Sequence, residues 1–236
     1  MVNKGKTSTN LEVLYLEVLI MALHSNFIHL WYGVWSDAVL CNNGTEVNKK
    51  GGVLLNTAAL NDFISYSKVN DSVINKFKNI IPKTLISIWE KHGLGTFMNG
   101  YIKVINPDDY QSIVDSTCCT YKKVVPIFVT AFGDIITLES GEYIGILYYR
   151  YGKFELLLKD FDFFLSRLTD RSFVNEFFSL NQYYKAINEH GMLLYKECFG
   201  DTTLLALGGK HTTESLKKVQ IQEHIALINS YSGTIM

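Results

Sequence analysis

The fold is decided by residues 124–158, which read VVPIFVTAFGDIITLESGEYIGILYYRYGKFELLL. Runs of β-branched and aromatic residues like these are typical of strands. The runs are separated by three glycine-containing residue pairs: Gly133-Asp134, Ser140-Gly141 and Tyr151-Gly152. Glycine can adopt the positive φ that a tight reversal requires. The stretch therefore predicts four consecutive strands in an antiparallel meander. A further strand is predicted upstream, in YIKVI at residues 101–105.

Helical periodicity flanks the predicted sheet on both sides. Upstream, apolar residues recur at a spacing of three and four in residues 70–81 and again in 85–92, where Gly93 stops the helix. Downstream, residues 160–168 and 180–190 show the same pattern. The strands alternate only weakly, which indicates that the flanking helices cover one face of the sheet.

The C-terminal part is predicted to be smaller and to mix helix and strand. LLYKECF (193–199) and TTLLALGGK (202–210) are typical of two strands around a reversal at Gly200-Asp201. A closing helix is predicted from about Thr213 to just before Gly233. The fold class is therefore α+β, with helices flanking an antiparallel meander.

The composition excludes several classes of protein. Hydrophobic residues make up 47% and charged residues 19%, which is unlike a disordered chain or a multi-pass membrane protein. The net charge of −1 gives no bulk electrostatic attraction for nucleic acid. The four cysteines, Cys41, Cys118, Cys119 and Cys198, lack the spacing of a disulfide scaffold or a metal knuckle, so we interpret them as reduced thiols in a cytosolic protein.

The first 54 residues are an extension of uncertain structure. Residues 11–40 are rich in apolar side chains, but Glu12 and Glu17 make the run a poor export signal and a poor membrane span. The polar, glycine-bearing residues 42–52 have the composition of a linker. We therefore expect no stable membrane insertion, and a globular part that begins near residue 55.

No motif in the sequence indicates a self-sufficient catalytic, metal or cofactor site. The six histidines show no zincin or deaminase spacing, no G-x-S-x-G is present, and neither glycine-rich stretch matches a phosphate-binding loop. Gly208-Gly209 is interpreted as a strand-to-helix turn rather than an anion site. We expect no enzyme activity and no cofactor, although Cys118-Cys119 with a distant histidine stays open as a reactive pair.

Two stretches resemble known families. The segment from residue 81 to 110, IPKTLISIWEKHGLGTFMNGYIKVINPDDY, together with residues 124–154, is similar to the GAD-like domain. Residues 186–228 resemble the C-terminal domain of Tdi-type immunity proteins of type VI secretion systems. The resemblance implies a GAD-like domain at 55–158 and an immunity-protein C-terminal domain at 159–236. One departure is Asp201, where an aromatic residue is expected after Phe-Gly.

The residues that carry these resemblances are interpreted as structural. They are Trp89, Gly93, Asn106, Pro107, Phe132, Gly133 and Asp134 in the first domain, and Gly191, Glu197, Gly200, Gly208, Gly209, Lys210 and His224 in the second.

The resemblance implies a cytoplasmic immunity protein that binds and neutralises a secreted toxin, a DNase in characterised cases. Such a protein contacts its partner toxin and needs no direct nucleic-acid binding. An acidic surface suits a toxin with a basic groove. The candidate contacts are Asp108, Asp109, Asp160, Asp162 and Asp201.

Two alternatives belong to other classes of function. His190, His211, His224 and Cys198 all lie in the C-terminal region, which leaves open an enzyme that acts on a small molecule. Residues 11–40 leave open a membrane-tethered adaptor. The sequence names neither the toxin nor the surface that contacts it, and it does not define the oligomeric state.

Overall fold

A seven-stranded antiparallel sheet forms the centre of the structure, and its strands follow each other in chain order. The computed structural model describes residues 57–117, 123–233 and 235, all of which belong to one compact unit, Val53–Met236. The strands are β1 Ile64–Ser67, β2 Leu94–Phe97, β3 Ile102–Val104, β4 Val124–Thr130, β5 Ile135–Glu139, β6 Tyr143–Tyr148 and β7 Lys153–Lys159, followed by a separate antiparallel pair, β8 Glu197–Asp201 and β9 Leu216–Gln220.

Seven α-helices accompany these strands within the described residues, so the α+β class predicted from the sequence is confirmed. They are α1 Asp71–Phe77, α2 Lys83–His92, α3 Gln111–Thr117, α4 Phe161–Arg167, α5 Arg171–Phe177, α6 Leu180–His190 and α7 Ile221–Ser232. Short 3-10 turns lie at Thr57–Leu60, Pro107–Asp109, Tyr149–Tyr151, Leu205–Leu207 and Thr213–Ser215.

The predicted reversals between β4 and β7 are all present. Gly133, Gly141 and Gly152 have φ values of 80°, 78° and 60°, in the region that side chains with a Cβ rarely adopt. The ladders between β4, β5 and β6 pair Val129 with Ile135 and Ile135 with Leu147. Local turn chemistry therefore places the strands in sequential order.

Both faces of the sheet are covered, whereas the sequence indicated cover on one face. Phe128, Ile136 and Ile146 are ladder partners on one face and join the core cluster that includes residues of α2 and α4. Ile135 and Leu147, on the opposite face, pack in a second cluster with Ile225 of α7. Burial on both faces explains why the strands read as nearly continuous apolar runs.

The two halves of the described chain share one hydrophobic core. The Phe128 ring lies 5.9 Å from Phe161 and 6.3 Å from Phe164, and the Tyr101 ring lies 5.2 Å from Tyr183. These contacts join β4 and the residue before β3 to helices that follow residue 158. The domain boundary at 158/159 stays a prediction from the sequence, and it falls inside a shared core.

The sequence prediction is wrong for much of residues 200–220. Gly200 and Asp201 lie inside β8 instead of forming a reversal, and residues 202–210 form a loop with a 3-10 turn instead of a strand. The partner of β8 is β9, a segment predicted as helix, and the closing helix begins at Ile221. Pairing with β8 buries Leu216, which is 1% exposed, and tertiary burial of this kind overrides local helical preference.

Strands β1 and β2 were not predicted. β2 begins directly after Gly93, at which the sequence predicts the end of a helix, and its neighbour β1 is only four residues long. The extension, Cys41, Cys118 and Cys119 lie outside the described residues. Within the described ranges, no helix is both long and apolar enough to cross a membrane.

Candidate functional site

A buried ion pair links the β4–β5 turn to the end of β6. Asp134 follows Gly133 in the turn, and Arg150 lies in the 3-10 turn after β6; they are 1% and 6% exposed. Arg150 Nη2 donates to Asp134 Oδ2 at 2.6 Å, and Nε donates to Oδ1 at 3.4 Å. Burial lowers the Arg150 pKa, but the charge and hydrogen bonds of Asp134 outweigh it and raise that pKa above its ordinary value. The Arg150 guanidinium is therefore positively charged.

The same guanidinium reaches the C-terminal part of the chain through His211. Arg150 Nη1 lies 2.7 Å from His211 Nε2, and His211 Nδ1 lies 2.9 Å from Asp201 Oδ1. A guanidinium only donates, so Nε2 accepts and the proton of a neutral imidazole sits on Nδ1, from which it is donated to Asp201. Ser215 Oγ lies 3.1 Å from the same carboxylate. We call Asp134, Arg150, His211, Asp201 and Ser215 the charge network.

Aromatic rings enclose the charge network. The Arg150 guanidinium carbon lies 4.4 Å from the centroid of the Phe132 ring and 5.1 Å from that of Tyr151. The His211 ring packs edge-on against Phe132, with centroids 5.5 Å apart. Rings that cover a guanidinium face strengthen its electrostatic contacts by excluding water.

The charge network has the wrong geometry for nucleophilic catalysis. His211 Nε2, the atom that would take a proton from a nucleophile, is occupied by Arg150. A cavity beside Arg150, Asp201 and His224 measures about 10 Å³, which is about the space of one water molecule. The network is suited to holding the β4–β5 turn, the 3-10 turn after β6 and the β8–β9 pair together.

The four groups of the enzyme alternative do not form one site. His190 Nε2 contacts Thr213 O at 3.0 Å, and His224 is buried against Gly200, where burial lowers its pKa despite the opposing charges of Asp201 and Asp134. Burial raises the pKa of Cys198 to about 12, so its thiol is protonated at neutral pH. Among the described residues, no hydrogen bond joins any two of these four side chains, and no group of three or more potential metal ligands occurs.

The five candidate contact aspartates lie in three segments of the fold: the 3-10 turn Pro107–Asp109, the start of α4 and β8. Asp108 is exposed and paired with Lys76, and Asp109 accepts a hydrogen bond from Asn106. Asp160 caps α4 by accepting from the Phe163 backbone at 2.8 Å. Asp162 is exposed in the first turn of that helix. Asp201 is 7% exposed and contacts His211, so it belongs to the buried charge network and not to the exposed surface.

Most of the residues that carry the first resemblance are buried or form turns and helix ends. Trp89 is 2% exposed, and its Nε1 has no hydrogen-bond partner within the described ranges. Gly93 ends α2 with φ 77°. The Asn106 side chain accepts from the Asp108 backbone, and Pro107 is buried in that turn. Phe132, Gly133 and Asp134 form the turn that carries the charge network.

Glycines of the second resemblance permit close approach of the backbone or a positive φ. A Cβ at Gly200 would lie 2.6 Å from the His224 ring, and one at Gly209 would lie 1.9 Å from the Thr203 carbonyl oxygen. Gly191 and Gly208 have φ values of 78° and 84°.

Two polar members of the second resemblance differ in their environment. Glu197 accepts from the Leu194 backbone at 2.9 Å. Lys210 is exposed, and its carbonyl oxygen lies 2.8 Å from Ser215 Oγ.

Sequence reasoning missed Arg150 and the role of His211. The available signal was an arginine at the end of a run of buried strand residues, where a charge needs a partner. That signal does not name the partner, because Asp134 and His211 are distant in sequence and are brought together only by the fold.

Comparison with known proteins agrees with the order of the two halves. Residues 54–149 match the family model of the GAD-like domain, and residues 158–231 match that of the C-terminal region of the T6SS immunity protein Tdi1. The fold is similar to the crystal structure of Atu4351 from Agrobacterium tumefaciens, with a TM-score of 0.60 and 18% identity over 72% of this chain and 86% of that one. At this identity the likeness concerns the fold alone. No curated protein matches the chain.

Proposed function

Because the chain contains a GAD-like domain followed by the C-terminal domain of Tdi1-type type VI secretion immunity proteins, we propose that it binds a cognate effector toxin in the cytoplasm and blocks it without catalysing a reaction. The observation that carries the proposal is the ordered pair of family matches at residues 54–149 and 158–231. An inhibitor of this kind acts by tight, slowly dissociating contact.

The rigidity of the described fold supports such a role. The charge network fixes the β4–β5 turn and the β8–β9 pair relative to each other, and the aromatic core joins α4 and α6 to the sheet. A preorganised surface loses little conformational entropy on association, which favours high affinity. Arg150, His211 and Asp201 are already satisfied by one another, which favours a binding role over a catalytic one.

We further propose that the toxin is a DNase whose basic surface meets acidic side chains of this chain. Four of the candidate aspartates are exposed in the part of the chain that the structure describes: Asp108, Asp109, Asp160 and Asp162. Opposite charges across an interface accelerate association and exclude wrong partners.

Co-expression with the product of the adjacent reading frame tests the proposal. The neighbouring protein alone should stop growth and degrade plasmid DNA, and this chain should restore growth and co-purify with the toxin as a stable complex. The matched control is this chain with Phe128→Asp, which removes a buried core residue and should abolish rescue. Persistent toxicity beside soluble, folded wild-type protein would overturn the immunity role. Rescue without DNA damage by the toxin alone would overturn only the DNase assignment.

A further inference from the structure

An exposed apolar and aromatic patch lies at the β1 edge of the sheet. Leu194, Ile64 and Tyr66 are 70%, 66% and 54% exposed. The Tyr66 ring stacks on Tyr195 with centroids 4.1 Å apart. Ile64, Tyr66, Leu194 and Tyr195 are called the tyrosine patch. Among the described strands, β1 pairs with β2 alone and lies at the edge of the sheet.

Ladder pairing and a lysine contact place the patch on one sheet face. Ile64 pairs with Thr96, and Thr96 pairs with Lys103, whose Nζ lies 3.2 Å from the Leu194 carbonyl oxygen. Directly paired residues point to the same side of a sheet. The segment that carries Leu194 and Tyr195 therefore crosses the face that Ile64 occupies.

Tyr195 also forms one wall of an open groove of about 560 Å³. The other lining residues come from the turn after β3, from the start of α7 and from the residues that precede β8 and α7: Asp109, Tyr110, Lys196, Gln220, Ile221, Gln222 and Glu223. The groove is preformed, because the Tyr195 hydroxyl donates to Val104 O at 2.7 Å and Gln222 Nε2 donates to Asp109 O at 2.7 Å.

The charges in the groove favour a cation. Asp109 and Glu223 are both exposed, and neither carboxylate forms an ion pair with a described residue. Lys196 supplies the one ammonium among the lining residues, which leaves the groove with a net charge of −1. Burial raises the pKa of the Tyr110 and Tyr195 phenols, and the nearby Asp109 charge raises both further.

We propose that the cognate toxin inserts an arginine side chain into this groove while apolar residues beside that arginine cover the tyrosine patch. A planar guanidinium stacks on tyrosine rings and binds carboxylates in a bidentate manner, which an ammonium does not. Tyrosine and arginine are also the residue types that most often dominate binding energy at interfaces. The inference rests on the immunity role and assigns that role a contact surface.

Binding measurements with the purified product of the adjacent reading frame test the proposal. The full-length double variant Asp109→Asn/Glu223→Gln should bind at least about 30-fold more weakly, since each carboxylate loses a charged contact. Tyr66→Ala should weaken binding by about tenfold because it removes a stacked ring. Lys196→Gln should tighten binding, because it removes a cation that repels the arginine.

The matched control is Glu90→Gln/Glu176→Gln, which removes two exposed carboxylates outside the groove. It should leave affinity within about twofold. Circular dichroism and thermal midpoints should show that all variants fold like the wild type, and Tyr66→Ala tests the surface independently if the double variant is unstable. Unchanged affinity of the groove and patch variants, with wild-type binding intact, would overturn the surface assignment alone. Absence of wild-type binding would overturn the immunity role.

Discussion

At the scale of single residues, Arg150 is the side chain from which we expect a large contribution to the stability of the fold. Arg150 is 6% exposed, and its guanidinium contacts both Asp134 and His211. Removing one partner of a buried ion pair leaves the other charge uncompensated in a medium of low dielectric, which costs more than the pair itself contributes. His211 also loses the donor that fixes its tautomer.

We expect Arg150→Met to lower the free energy of unfolding by about 3–5 kcal/mol, because Asp134 is left buried without its ion-pair partner. Urea denaturation followed by circular dichroism measures the loss. The exposed Arg171→Met is the matched control and should change stability by less than about 0.5 kcal/mol. A loss below about 1 kcal/mol for Arg150→Met would show that the pair is not a major stabilising contact.

Lys103 is the second residue for which we expect a measurable effect on stability, in this case an effect that depends on pH. It lies fully buried in β3, and burial lowers its pKa to about 8, although the neighbouring Cys198 and Glu197 side chains oppose the shift. Above this pKa the unfolded chain still holds the proton that the folded chain has lost, so Lys103 makes stability rise with pH.

The difference in unfolding free energy between wild type and Lys103→Met should therefore rise by about 1 kcal/mol between about pH 7.5 and pH 9. Urea midpoints at several pH values measure it, and using the difference cancels the opposing ionisation of buried phenols and of the Cys198 thiol. Lys217 is exposed, and the difference in unfolding free energy between wild type and Lys217→Met should not change with pH. A flat difference for Lys103→Met as well would contradict a depressed lysine pKa.

At the scale of elements, α5 and α6 differ in how their first turns are capped. The Asp170 carboxylate accepts from the Ser172 backbone at 2.8 Å and pairs with Arg167. Ser179 precedes α6 but makes no side-chain cap hydrogen bond. The hydrogen bonds to Ser172 are the largest cause of the lowered Asp170 pKa, so its contribution is present near neutral pH and is lost in acid as pH falls through that pKa.

Asp170→Ala should lower the free energy of unfolding at neutral pH, because a backbone donor of the first turn loses its acceptor. Ser179→Ala is the matched control and should cost less than about 0.5 kcal/mol, since no cap is lost. Chemical denaturation of both variants at pH 7 and in acid measures the effect. Equal losses in the two variants would argue against a capping role for Asp170.

At the scale of the whole molecule, the two family regions are packed as one body. The meander and the later helices share rings in one core, and the charge network ties β8 and β9 to the β4–β5 turn. A domain with its own core unfolds independently, whereas a shared core makes unfolding cooperative.

Calorimetry of the full chain should therefore show a single transition for residues 57–235, with a calorimetric enthalpy close to the van't Hoff value. Separate fragments 55–158 and 159–236 should fail to give cooperative transitions. Each fragment would expose aromatic side chains that the other fragment covers in the full chain. Two resolved transitions, each reproduced by one fragment, would contradict a shared core.

The sequence by itself determined the parts of the fold that depend on local chemistry. Glycines at positive φ set the reversals at Gly133, Gly141 and Gly152, and apolar spacing set α2, α4 and α6. These features were predictable because turn geometry and helical periodicity involve residues close together in the chain. The same reasoning identified the acidic Asp109, whose role at an interface stays a prediction.

Only the tertiary structure decided the rest. β9 was predicted as helix, and it is a strand because pairing with β8 buries Leu216. The contacts of Arg150 with Asp134 and His211 span 16 and 61 positions of sequence, and no local pattern specifies them. The groove between Tyr195 and Glu223 likewise exists only because the fold places the turn after β3 beside the start of α7. Contacts between distant segments depend on how the whole core packs, and for that reason the sequence left them open.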